Sequence, residues 1–159
     1  MNIQQRRVVV TGVGLVSPVG VGTEVTWQAL LQGQSGIGPI SLFDASGFSC
    51  RIAGEVKDFS PEDYVERKEI KKMGRFIQFA LAASEFAVSQ AGLVMEAEDA
   101  GRVGVYVGSG IGAFEVIERE HSKLLSAGPN RVSPFFITAT IANLAPDRFR
   151  FDMERPDPT

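Results

Sequence analysis

Two runs of β-branched residues that each end at glycine constrain the fold of this chain most strongly. They are RRVVVTG at residues 6–12 and RVGVYVG at residues 102–108. A strand that is apolar on both faces is typical of a parallel sheet with helices on each side. The sequence therefore predicts two buried strands at these positions, in a domain of the α/β class.

Four stretches carry helix signals around these runs. At residues 75–90, small and apolar residues recur at helical spacing, and Gly92 follows as a stop signal. The alanines of this stretch predict close packing against another element. Thr23 is predicted to cap a second helix, and Ser60 before a proline predicts the start of a third. A fourth helix is predicted over residues 114–125.

The bulk composition excludes several classes of protein. The 159 residues suffice for one domain with a core, and the formal net charge of −3 does not suit a general nucleic-acid binder. The first residues lack the apolar segment of a signal peptide, and no apolar stretch approaches the ~20 residues of a membrane span. Cys50 is the only cysteine, which excludes an intrachain disulfide. We expect a cytoplasmic protein that binds neither membranes nor nucleic acids.

Gly12, Val13 and Gly14 follow the first predicted strand, as in a dinucleotide-binding loop. That loop needs a third glycine at position 17, where this chain has Ser17 followed by Pro18. No acidic residue ends a second strand about 20 residues later, where ribose binding would require one. A tight turn under a sheet is therefore favoured over a nucleotide site.

Cys50 and His121 are the only cysteine and histidine of the chain, so a nucleophile–base pair is one interpretation. His121 falls in a predicted helix that is rich in charge, which is typical of a solvated face. The pair is therefore not favoured. One cysteine and one histidine also exclude the common closed zinc sites built only from these residue types.

Three further segments have more than one interpretation. The basic run RKEIKK at residues 67–72 is either a solvated helix face or a docking patch for an acidic partner. The apolar block SPFFI at residues 133–137 is either core or the wall of an acyl-chain pocket. The loop GSGIG at residues 108–112 lets the backbone come close to a ligand or to another chain.

Taken together, these segments resemble the β-ketoacyl-acyl carrier protein synthases. The resemblance runs in order and without large gaps from about residue 6 to residue 145. The matching segments are RRVVVTGVGLVSPVG at 6–20, WQALLQGQSGIG at 27–38, AGEVKDF at 53–59, RKEIKKMGRFIQ at 67–78, GSGIG at 108–112 and GPNRVSPFF at 128–136. The basic run and the Ser-Pro-Phe-Phe block resemble type II members more than type I.

The resemblance implies a thiolase-like fold, in which two similar α/β halves pack together, usually in a homodimer. Residues 1–145 would form the first, N-terminal half, which is incomplete. The implied reaction transfers an acyl group from acyl carrier protein to a cysteine thiolate. Malonyl-carrier protein is then decarboxylated, and its carbanion attacks the thioester. Two histidines and backbone N–H groups stabilise the charge, and no cofactor is required.

Only peripheral roles carry over to residues of this chain. Ile111 and Phe136 match residues that line the acyl pocket of the family. The matches to its carrier-protein docking surface are Lys68, Lys71, Lys72 and Arg131. The nucleophile and both catalytic histidines of the family lie past the segment that should follow Ala145.

The resemblance therefore leaves this chain without a catalytic residue, since Cys50 and His121 do not align with the family's nucleophile and histidines. We expect no condensation by the chain alone. The alternative is a non-catalytic module that binds acyl carrier protein or assembles with a companion fragment. Because the later strands and helices of the family are absent, we also expect apolar exposure around Ile111, Phe135 and Phe136, or a partner chain that covers them.

The tail at residues 146–159 breaks with the rest of the chain, because it is rich in proline and charge and has no helical or strand period. Its composition predicts disorder. Back-translated and read one base out of phase, residues 146–154 can encode Gly-Gln-Val-Ser-Ile-Arg-Tyr-Gly, which is the continuation expected of the family. Our hypothesis is a frameshift near Ala145, which we favour over the alternative of a genuinely divergent tail. A stop codon or unrelated sequence in the shifted frame of the coding DNA would contradict it.

Overall fold

The computed structural model describes residues 6–143, 145 and 146. Its strands are β1 (Val16–Ser17), β2 (Gly20–Val21), β3 (Ile37–Pro39) and β4 (Ile52–Gly54). Its helices are α1 (Thr23–Leu31), α2 (Arg67–Ile70), α3 (Arg75–Ala91), α4 (Phe114–Ala127) and α5 (Phe136–Thr140). Single 3-10 turns lie at Pro61–Asp63, Met95–Ala97, Ala100–Arg102 and Pro129–Arg131. The predicted tail lies outside the described residues except for Pro146, so its disorder stays a prediction.

The longest helix, α3, lies at the centre of the packing. It ends at Gly92, which takes the left-handed conformation with φ of 63°. The N–H of Leu93 then donates to the carbonyl oxygen of Val88 at 3.2 Å, which closes the helix end. Ile77 and Leu81 are among the side chains that the helix buries. The helix predicted over residues 75–90 is confirmed.

The glycine loop after the first valine run lies directly against the alanine face of α3. A Cβ atom added at Gly12 would overlap the carbonyl oxygen of Ala87. One added at Gly14 would overlap the carbonyl oxygen of Ala83. The close packing predicted from the alanines of α3 is therefore confirmed, and its partner is glycine backbone.

Val13 joins this loop to two helices. Its N–H donates to Oε1 of Gln90 in α3 at 2.6 Å, and its carbonyl oxygen accepts from the hydroxyl of Thr23 at 2.6 Å. Thr23 is the first residue of α1, and the N-cap is Gly22, which makes no side-chain hydrogen bond. The helix predicted there is confirmed, but the capping role of Thr23 is wrong because its hydroxyl binds Val13.

Two apolar clusters form the core, and α3 contributes to both. The buried residues of the first cluster are Val65, Met73, Ile77, Leu81 and Ala145. Those of the second are Ala113, Val116 and Ala139. Phe76 packs against both clusters. The start of α3 therefore connects α4 and α5 to the rest of the structure.

The strands form two separate antiparallel pairs, β1 with β2 and β3 with β4. Neither residues 6–12 nor residues 102–108 carry an assigned strand or a backbone ladder in the described part of the chain. The side chains of Val8, Val10 and Tyr106 are 93%, 82% and 96% exposed. The prediction of two buried strands is wrong for these residues, because a strand forms only where a neighbouring strand completes its hydrogen bonds.

The second run nevertheless keeps one packed face. Val103, Val105 and Val107 are half-buried, whereas the intervening Gly104 and Tyr106 are exposed. Val107 packs against the first core cluster. This alternation is typical of a strand that is covered on one side.

The remaining helix predictions are confirmed in part. The helix predicted over residues 114–125 is α4, which extends to Ala127. Ser60 precedes only a single 3-10 turn at Pro61–Asp63, and its side chain makes no capping hydrogen bond. The turn still places proline at its first position, as the sequence indicated.

Replacing Gly14 with alanine should lower the free energy of unfolding by ~2 kcal/mol or more, since the new Cβ would force backbone apart. Gly38→Ala is the matched control, because nothing lies within 4 Å of a Cβ there. Urea denaturation of both variants checks the prediction. Equal midpoints for the two would contradict it.

Candidate functional site

Four basic side chains from neighbouring segments form the candidate docking site, which we call the basic surface. Its members are Lys68, Lys71, Lys72 and Arg131. Lys68 lies in α2, and Lys71 and Lys72 lie in the turn between α2 and α3. Arg131 ends the 3-10 turn that follows α4.

Two of the four cations already have acidic partners. Nζ of Lys68 lies 2.7 Å from Oε2 of Glu66, and Nζ of Lys72 lies 2.6 Å from Oε1 of Glu69. Lys71 and Arg131 are exposed and have no ion pair within residues 6–143. An incoming carboxylate meets no intramolecular competitor at these two side chains.

Lys72 connects the basic surface to the apolar block that follows Arg131. Its Nζ lies 5.7 Å from the centroid of the Phe135 ring, in the range of a cation–π contact. The turn before α3 and the segment before α5 are therefore neighbours. The structure brings at least this lysine and the stretch after Arg131 together, as docking by one partner requires.

The candidate acyl-pocket residues lie on two elements that touch. Ile111 is 74% exposed in the loop before α4. A Cβ added at the next residue, Gly112, would lie 2.8 Å from the carbonyl oxygen of Thr140, so this loop lies against the end of α5. Phe136 begins α5 and is half-buried against the second core cluster.

The apolar exposure expected at these positions is confirmed for two of the three residues. Ile111 is 74% exposed and Phe135 is 42% exposed. The expectation is wrong for Phe136, which is half-buried because it packs against the cluster shared by α4 and α5.

A buried carboxylate, Glu120 of α4, organises the charges next to the apolar block. It is only 2% exposed. Its Oε1 accepts from Nζ of Lys123 at 2.8 Å and from Nε of Arg119 at 3.1 Å. Its Oε2 accepts from the backbone N–H of Ser133 at 2.8 Å. Glu120 therefore holds the start of the Ser-Pro-Phe-Phe segment against α4.

These contacts favour the charged form of the carboxyl group. The hydrogen bond from Lys123, followed by that from the Ser133 N–H, lowers the pKa of Glu120 from 4.5 to about 2. Burial acts in the opposite direction and is outweighed. Glu120 is therefore ionised throughout the physiological range.

Sequence analysis missed Glu120 because it stands in a charge-rich stretch. One signal was available: it follows Val116 by four residues, which places both on the same face of α4. Val116 is buried in the second core cluster. A charged residue on an apolar helix face indicates a buried, paired carboxylate.

The unfavoured nucleophile–base pair gains no support from the structure. Cys50 is exposed, and its Sγ donates to the carbonyl oxygen of Ile52 at 3.5 Å. His121 is exposed on α4. No contact between the two is found in the described residues.

No helix in the described part of the chain combines the length and the apolar character that a membrane crossing demands. Among residues 6–143, 145 and 146, no group of three His, Cys, Asp or Glu side chains is placed to hold a metal ion.

The sequence matches the family described as beta-ketoacyl synthase, N-terminal domain, over residues 5–153. A curated relative from Vibrio harveyi, named 3-oxoacyl-(acyl-carrier-protein) synthase 2, is 51% identical over 142 residues, which cover 89% of this chain and 34% of the relative. The chain thus spans about a third of the length of such curated relatives.

The fold is similar to those of solved ketosynthases. The structure of the ishigamide ketosynthase/chain length factor has a TM-score of 0.76 at 31% identity, over 94% of this chain and 37% of that chain. A type II PKS acyl-carrier protein in complex with its ketosynthase gives a TM-score of 0.76 at 25% identity, over 94% of this chain and 39% of that one. The expected thiolase-like fold, in its N-terminal portion, is confirmed.

Replacing Glu120 with glutamine should destabilise the protein at neutral pH. It should also make the stability depend less on pH between pH 4.5 and about 2. Because the folded-state pKa is lowered, the carboxylate stabilises the native state fully above pH 4.5 and loses this effect as the pH falls towards about 2. Glu118→Gln, at an exposed position of the same helix, is the control. Urea midpoints measured from pH 7 to pH 2 check the prediction, and parallel curves for the wild type and E120Q would contradict it.

Proposed function

The chain belongs to the β-ketoacyl synthase family, and on that premise we propose that it is a part of a fatty-acid condensing enzyme which receives acyl carrier protein. The observation that carries this proposal is the basic surface, in which Lys71 is exposed and has no ion pair among the described residues. Curated relatives are named for synthesis on acyl carrier protein. One similar structure is a ketosynthase in complex with its acyl-carrier protein.

The charges of the basic surface suit such a partner. Exposed cations attract an acidic protein over a Debye length of about 10 Å at 0.1 M salt, which raises the association rate. Lys68 and Lys72 are partly neutralised by their carboxylate partners. Lys71 and Arg131 therefore provide most of the attraction. Ile111 and Phe136 contribute to the wall that contacts the delivered acyl chain.

The condensation itself is not assigned to this chain alone. The reaction of the family needs an activated cysteine thiolate, two histidines and oxyanion-binding N–H groups. The only cysteine, Cys50, contacts a carbonyl oxygen, which neither removes its proton nor stabilises a thiolate. The only histidine, His121, lies exposed on α4. The chain therefore binds and positions a carrier without performing the chemistry.

Assembly with a companion fragment is the second candidate, and the exposed valine runs favour it. Val8, Val9 and Val10 are 72% to 93% exposed, and Tyr106 is 96% exposed. Apolar exposure of this extent is typical of a surface that another chain covers. A companion that completes the sheet would bury these side chains.

Purified chain is expected to give no β-ketoacyl product from malonyl-carrier protein and an acyl-carrier protein. Loss of the nucleophile in a covalent mechanism costs several orders of magnitude in rate. The full-length Vibrio harveyi relative is the positive control. Product above the background without enzyme would contradict this part of the proposal.

Changing Lys71 to glutamate should weaken the binding of acyl carrier protein about fivefold at low salt, and Lys68→Glu about twofold. Exposed ion pairs contribute up to ~1 kcal/mol each to the binding free energy. The effect is smaller at Lys68 because this side chain is already paired with Glu66. Lys57→Glu, at an exposed position outside the basic surface, is the control. Titration at 0.05 M and 1 M salt provides the measurement. An affinity that changes neither with the Lys71→Glu substitution nor with the salt concentration would overturn the docking proposal.

A further inference from the structure

We propose that the cavity beside Lys71 is a carboxylate-receiving site, in which Lys71 and Arg119 of α4 together bind one acidic side chain of the docked protein. This inference rests on the proposed carrier docking and adds a residue from a second element to it. Sequence analysis gave Arg119 no role. The cavity has a volume of about 260 Å³ and is lined by both cations.

The position of the cavity makes it continuous with the basic surface. Its walls come from the end of α2, the turn before α3, the start of α3, α4 and Ala139 of α5. Lys71 belongs both to the basic surface and to the cavity wall. A partner that docks on the basic surface therefore brings its own side chains to the cavity mouth.

Arg119 is held in place by a buried carboxylate. Its Nε lies 3.1 Å from Oε1 of Glu120. The same Oε1 also accepts from Lys123 at 2.8 Å, so one negative charge is shared between two cations. Within this group of three charges a net charge of +1 remains. Within the described residues only Nε of the guanidinium has a partner, so the two terminal amino groups of Arg119 are open to a bidentate contact with a carboxylate.

The other charged residues of the wall are already engaged. The guanidinium of Arg75 donates to the carbonyl oxygen of Val56 at 2.6 Å and lies 5.0 Å from the centroid of the Phe79 ring. Oε1 of Glu115 accepts from the backbone N–H of Arg75 at 3.1 Å, at the start of α3. Glu115 therefore offsets part of the positive field without pairing with either cation of the proposed site.

The charges that line the cavity favour an anionic occupant. Because the cavity lies beside the basic surface, that occupant is a side chain of the docked protein. Three cations and one carboxylate line the cavity, which gives a net charge of +2. A carboxylate on a flexible side chain can enter a cavity of this size together with water. Lys71 belongs both to the cavity wall and to the basic surface on which the carrier docks, so the carboxylate arrives with the carrier rather than as a free ion.

The test measures the affinity of the full chain for acyl carrier protein by titration at low salt. Arg119→Glu should weaken binding about fivefold or more, and Arg119→Gln about twofold, as expected for the loss of one exposed charge pair. Arg119→Lys keeps the charge but loses the bidentate contact, so its affinity should lie between those of the wild type and Arg119→Gln. Arg102→Glu, at an exposed position outside the cavity, is the matched control. Circular dichroism establishes that each variant is folded despite the altered contact with Glu120.

A double variant, Lys71→Glu with Arg119→Glu, tests whether the two cations bind the same group. Sharing one carboxylate predicts that the double variant loses less than the product of the two single losses. Strictly multiplicative losses would overturn the shared site. If Lys71→Glu weakens binding but no Arg119 variant does, the docking proposal stands and the cavity proposal is wrong. If neither position matters, both are wrong.

Inorganic phosphate distinguishes a carboxylate site from a site for small anions. We expect phosphate in the millimolar range to compete only weakly, with no saturable binding to the free chain. Saturable phosphate binding that Arg119→Gln abolishes, with unchanged affinity for the carrier, would overturn the proposal in favour of a small-anion site.

Discussion

The contact between the glycine loop and the alanine face of α3 is the constraint on which the rest of the structure depends. Gly12 and Gly14 bring backbone to within atomic contact of the helix, at a distance that no other residue type permits. This fixes the first part of the chain along α3. At the opposite end of the helix, Gly74 donates its N–H to the carbonyl oxygen of Ala139 at 3.0 Å and so fastens α5. The helix is therefore anchored through small residues at both of its ends.

The candidate site depends on this anchoring and on one buried charge. The start of α3 supplies the turn that carries Lys71, and α4 supplies Glu120 and Arg119. Glu120 accepts a hydrogen bond from the N–H of Ser133 and thereby holds the start of the apolar block against α4. A carboxylate that is paired in this way costs little to bury, because its hydrogen bonds replace those to water. One side chain consequently positions both the start of the apolar block and Arg119 of the proposed cavity.

Local features could be predicted from the sequence, and features that depend on distant partners could not. The helices α1, α3 and α4 follow from spacing and from the stop at Gly92, both of which act within a few residues. The strands at residues 6–12 and 102–108 were predicted from composition, but a ladder requires a second strand that the described residues do not provide. Arg119 was missed because the cavity forms only when α4 meets the turn before α3. The resemblance of the whole chain to a family identified Lys71, which spacing alone left as a solvated lysine.

The two runs also offer a route by which copies of this chain associate in concentrated solution. Each run carries β-branched or aromatic side chains together with backbone groups that have no partner in the described structure. Such a segment accepts a strand from a neighbouring molecule. With two of them, one molecule can join two others, and nothing in this geometry closes the assembly into a ring or a dimer. Growth by this route is open-ended, so its product is a filament or a precipitate. A molecule that covers either run would stop the growth at that run.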